Sequence, residues 1–131
     1  MWLAASGGLC FAGTALASYV YNRTAMAVTS GALALTSSWY HMTGDTRAFW
    51  LDQAAMFTFV GTAGYESYIR GVVPSGLFVT TGLYCTLVYH VGKQWKCWAF
   101  HPEEQHYYHA TLHILPLINF LCIFTFFPFD S

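Results

Sequence analysis

The chain is poor in charge, and poorer still in the patterns that charge usually makes. Only 8% of its 131 residues are Asp, Glu, Lys or Arg, and the first 21 positions contain none. No basic run or stripe is present on which phosphates could gather, which excludes nucleic acid as a partner. The four cysteines, Cys10, Cys85, Cys97 and Cys122, form no Cys-x-x-Cys pair. Three of them sit in or beside apolar runs, where a thiol behaves as a small hydrophobe, so no disulfide framework is expected and the redox compartment stays open. The N-terminal stretch lacks both the basic leader of a secretory signal and the arginine-rich face of a transit peptide, and it is expected to stay as a membrane helix. Internal repeats, linkers and low-complexity tails are missing as well.

What is present is apolar and aromatic. A hydrophobic fraction of 56% and an aromatic fraction of 19% do not describe a soluble domain. The expected fold class is all-α: a polytopic membrane helical bundle of about five transmembrane helices, forming a single domain over residues 1–131.

The few polar residues divide the chain. Helix 1 is expected over about Trp2 to Tyr21, since ~20 residues at ~1.5 Å each span ~30 Å of hydrocarbon; Asn22 and Arg23 end it. Helix 2, about Thr24 to Met42, is rich in Ala, Ser and Thr, small residues that let neighbouring helices approach. Gly44 is its stop, and Asp45 can cap helix 3, about Thr46 to Ile69, by accepting from free N–H groups. Glu66 and Arg70, four apart near the far end, can neutralise each other. Pro74 is expected to mark a turn before helix 4, about Ser75 to Val91. Lys93, Trp95, Lys96 and Trp98 resemble an interfacial anchor. Pro102, Glu103 and Glu104 make a favourable start for helix 5, which runs to about Phe127 before Pro128.

Five crossings place the ends of helices 2 and 4 and the starts of helices 1, 3 and 5 on one side of the membrane. His41, Asp52, His109 and His113 then lie towards that same side. Asp52 is seven residues beyond its cap Asp45 and His109 seven beyond Pro102, each about two turns, ~10 Å, into its helix. Ser37 and His41 are four apart, as are His109 and His113, so each pair shares a helix face. Three imidazoles from two helices could bind one tetrahedral zinc and leave a fourth position for water, which Asp52 and Ser37 could orient. An aspartate inside a membrane helix also needs such a reason to be there.

The combination of Ser-x-x-x-His (Ser37, His41), the aspartate of Leu-Asp (Asp52) and His-x-x-x-His at the start of the last helix (His109, His113) resembles the CREST superfamily. That group includes alkaline ceramidases, adiponectin-receptor-like proteins and Per1-like proteins. The segment His-Ala-Thr-Leu-His-Ile-Leu-Pro, His109 to Pro116, is closest to the ceramidase-like and Per1-like members. The resemblance implies zinc held by His41, His109 and His113, with Asp52 and Ser37 as catalytic residues beside the water, and hydrolysis of a lipid amide or ester. Family members typically have seven helices where five are expected here. Loss of an even number keeps the histidines on one side but removes part of the substrate cavity wall.

Other uses of the same residues remain open. His109 and His113 could simply line a helix interface. Haem could take axial ligands from His41 or His90 and from His109 or His113, although the nearby Asp52 favours zinc. Ser37, His41 and Asp52 could form a triad, but no nucleophile elbow is visible. His90 and His106 fit interfacial roles, and Pro116 would free the Leu112 carbonyl beside His113. A different class of reading is a structural subunit of a large membrane complex, mitochondrial or of another energy-transducing membrane, with the metal site kept as a staple. Expected partners are membrane lipids and partner subunits. The expected location is the mitochondrial inner membrane or the endoplasmic reticulum or Golgi membrane. Arg47, Lys93 and Lys96 against Arg23 and Arg70 make the histidine side marginally the cytoplasmic or matrix one.

Overall fold

A computed structural model describes residues 2–92 and 104–129, all of whose regular structure is helical. Among the described residues five helices follow one another: α1 Trp2–Val20, α2 Thr24–Thr43, α3 Thr46–Tyr68, α4 Val72–Thr86, and α5 Glu104–Phe126; a π-helical turn, Leu87–Gly92, continues α4. The Lys93, Trp95, Lys96 and Trp98 cluster and the helix start at Pro102 and Glu103 lie outside the described residues, as do the side chains of His90 and His106.

Local chemistry explains most of the boundaries. Asn22 takes a left-handed φ of 57° between α1 and α2, a conformation that asparagine tolerates better than most residues. Gly44 ends α2 at φ 64°, where a Cβ would be strained, and its N–H donates to the Tyr40 carbonyl at 2.8 Å. Asp45 caps α3 as expected, its carboxylate accepting from the Arg47 N–H at 2.7 Å.

Helix 4 departs from the sequence expectation at both ends. Its turn residue is Gly71, at φ 112°, and Pro74 lies inside the first turn. Proline is tolerated there because the first N–H groups of a helix have no intrahelical partner to lose. At the other end the α-helix gives way at Leu87, whose N–H is shared between the Leu83 and Tyr84 carbonyls, and a π-turn follows.

Neighbours in the bundle form a closed circuit. The helix α1 packs on α2 and α5, α2 on α3, α3 on α4, and α4 with its π-turn on α5. At the centre lie Phe11, Met26, Leu33, Ala34, Phe59, Ala63, Phe120, Ile123 and Phe124, with Phe78 of α4 against them. Phe59 meets Phe11 edge to face at 5.6 Å between centroids and Phe120 at 6.0 Å, geometry favoured by the ring quadrupoles.

One end of this core is closed by charge. Glu66 is 2% exposed; both of its oxygens accept from Arg23 Nε at 2.9 Å, and Arg70 Nη1 donates to the same carboxylate and to the Glu66 carbonyl. The expected Glu66–Arg70 pair is therefore present, joined by Arg23 from the α1–α2 turn. The rings of Phe124 and Phe129 lie against the two guanidinium groups. The C-termini of α1 and α3 end near these arginines, so their negative dipole ends offset the surplus positive charge.

Among the described residues, two stretches are long and apolar enough to cross a membrane, Val72–Tyr89 and Tyr108–Phe126, and Ala4–Val20 is a shorter apolar one. The polar positions of α2 and α3 lower their average hydropathy, yet several of these, including Ser30, Ser37, Glu66 and Ser67, are buried in the bundle.

Candidate metal centre

At the end opposite Glu66, the last turn of α2 faces the first turns of α5. His41 comes from α2, and His109 and His113 from one face of α5. One ring nitrogen from each of the three lies within 4.8 Å of the others. The ring centroids are 4.8 Å apart for His41 and His109, 5.1 Å for His109 and His113, and 5.6 Å for His41 and His113. Tetrahedral nitrogen ligands at the usual zinc distance stand about 3.3 Å from one another. Small side-chain rotations therefore suffice for these three to share one ion, and the donor set suits zinc and other imidazole-binding metals.

Burial and hydrogen bonding fix the inner histidine. His113 is 4% exposed, and its Nδ1 lies 3.0 Å from Ser6 Oγ of α1. With the proton on Nδ1, the ring donates to Ser6 and leaves the Nε2 lone pair for a metal, the arrangement by which outer partners orient metal-binding histidines. Phe11 packs edge-on to the same ring at 5.5 Å. Gly7 lets α1 come this close: a Cβ there would stand 2.8 Å from Ser37 Oγ and 3.3 Å from His113 Cε1. On the adjoining side, Gly8 leaves similar room for Ser38.

The other expected site residues separate. Ser37 is buried at 2% exposure and faces Gly7 and His113, one turn before His41. Asp52 is not among the donors within 4.8 Å of one another. Its Oδ1 accepts from Thr36 Oγ1 at 3.1 Å, which ties α3 to α2 beside the centre. Tyr89, from the π-turn, stands edge-on to His109 with centroids 6.1 Å apart.

The sequence points to the three histidines, Ser37 and Asp52, but not to Ser6, Gly7, Thr36 and Tyr89. A signal existed for one of them: Gly7-Gly8 is a tight small-residue pair in an otherwise apolar helix, which marks close helix approach. The rest depend on which helices are neighbours. Comparison with family models, with curated proteins and with solved structures finds no match for the chain.

Proposed function

We propose that the chain is an integral membrane protein that holds zinc at His41, His109 and His113 and uses the centre to hydrolyse an amide or ester bond of a lipid. The observation that carries this reading is the convergence of three imidazoles from two helices, far apart in sequence, within 4.8 Å.

The membrane part rests on an inside-out distribution of polarity. Leu9, Leu35 and Val72 are 75%, 75% and 88% exposed, in a wide apolar outer surface, while serine, threonine and glutamate side chains are buried. Water-soluble monomers rarely expose apolar surface on this scale, whereas a lipid solvent favours it. The helices α1, α2, α3 and α5 have 19, 20, 23 and 23 residues, close to the ~20 that a crossing needs. The polar residues of α2 and α3 that turn inward are compatible with lipid outside, which supports five crossings.

When bound, zinc polarises a carbonyl and lowers the pKa of a coordinated water to about 7. The remaining roles belong to the chain. Ser6 holds the His113 ring, Ser37 lines the buried side, and Asp52, anchored by Thr36, is the carboxylate available to move a proton to a leaving amine or alcohol. The resemblance of Ser37, His41, Asp52, His109 and His113 to the CREST signature supports the same assignment.

A second reading, a non-catalytic subunit of a larger membrane complex with the metal as a staple, is favoured by the helix circuit. The helices α2 and α5 each pack on α1 without being adjacent in the circuit, so an ion shared by His41 and the α5 histidines would fasten them across it. Elemental analysis of the purified protein tests both readings: about one zinc per chain is expected, lost in His113→Ala. Folded wild-type protein without metal would sink both. Zinc-loaded protein that cleaves a long-chain lipid amide, with cleavage lost and zinc kept in Asp52→Asn, supports the hydrolase. Zinc without cleavage leaves the staple.

A further inference from the structure

The π-turn at the end of α4 has a consequence for the histidine cluster. Tyr84 and Tyr89 are five residues apart, a spacing that a regular α-helix places on well-separated faces. Both nevertheless meet α5. Tyr84 Oη lies 2.8 Å from Thr111 Oγ1, and the Tyr89 ring stands against His109, two residues earlier on α5. The winding changes between them: a π-turn, which closes on the fifth residue rather than the fourth, begins at Leu87 and contains Tyr89. Val88, beside it, is buried, which anchors the turn. Such turns interrupt the regular ladder and recur at functional sites.

Tyr89 thus brings α4 to the histidine cluster. Its ring borders His109, which the other two imidazoles approach from α2 and from the next turn of α5. We propose that Tyr89 is a positioning residue of the metal centre, its ring seating His109. This rests on the metal reading above. It adds α4 to the elements that shape the site and gives the π-turn a purpose.

The test uses Co(II) as the probe, taken up by full-length metal-depleted protein in detergent and followed by its visible absorption. Tyr89→Phe keeps the ring and removes the hydroxyl; Tyr89→Leu removes both. Because Tyr89→Phe keeps the ring that borders His109, it is expected to bind Co(II) within about twofold of wild type. Tyr89→Leu is expected to weaken Co(II) binding about tenfold, the loss typical of an outer partner of a metal ligand. Thermal melting of each metal-free variant checks that the fold is kept. If wild type binds Co(II) and both Tyr89 variants match it in affinity and spectrum, the Tyr89 assignment is overturned and the metal centre stands. If folded wild type takes up no Co(II), the metal centre fails and the assignment falls with it.

Discussion

Ser6 and Gly7, consecutive on α1, do different work on the same imidazole. Ser6 supplies the hydroxyl 3.0 Å from His113 Nδ1, and Gly7 supplies the room in which Ser37 and His113 lie. Ser6→Ala leaves the His113 ring without that partner, and metal affinity is expected to fall about tenfold, measured by competition with a chromophoric chelator. Gly7→Ala puts a methyl 2.8 Å from Ser37 Oγ and 3.3 Å from the His113 ring. The hydroxyl can turn away, but the ring cannot do so without moving a metal donor, so affinity is expected to drop. Gly8→Ala is the control: its new Cβ meets Ser38 Oγ at 2.6 Å with no ring nearby. Rotation of Ser38, together with a helix-propensity gain of up to ~1 kcal/mol, is expected to leave metal affinity unchanged and melting within a few degrees.

At the scale of elements, the bundle is held differently at its two ends. Near the histidines α1, α2 and α5 converge on polar side chains, whereas at the other end Glu66 is clamped between Arg23 and Arg70. Glu66→Gln keeps the shape but leaves two guanidinium groups facing each other with little water to screen them. Removing one partner from a buried ion pair costs about 3–5 kcal/mol, so a loss near 3 kcal/mol is expected in equilibrium unfolding, with metal affinity of the folded fraction retained. A comparable loss of metal affinity would contradict this division into two ends. The helix ends themselves were readable where one residue type decides them, as with Gly44 and Asp45. They were not at Pro74, where position within the first turn overrides the usual breaking role, nor at Leu87, where contact with α5 accompanies a π-turn that no local signal announces.

For the whole molecule, the circuit of five helices and the apolar outer surface make a prediction about the bilayer. If α1, α2 and α3 each cross, Asn22 and Asp45 lie on opposite sides. Single cysteines introduced as Asn22→Cys and Asp45→Cys, with the native cysteines replaced, are then expected to react with a membrane-impermeant maleimide from opposite faces of sealed vesicles. Labelling of both from one face would show that α2 does not cross.

The helices and the candidate donors follow from local features of the chain. Sparse polar residues in an apolar chain must sit at helix ends or turn inward, and i, i+4 spacing puts His109 and His113 on one face wherever the helix lies. Those are local constraints, legible without knowing any neighbour. Which neighbours are brought close is a property of packing, set by the way the helices associate in the folded bundle. That association seated α1 between α2 and α5, so that Ser6 bonds to His113. It brought Arg23 to Glu66, turned Asp52 towards Thr36, and rotated Tyr89 onto His109. Each of these contacts joins residues on different helices, and no periodicity within a single helix encodes which face of another it will meet.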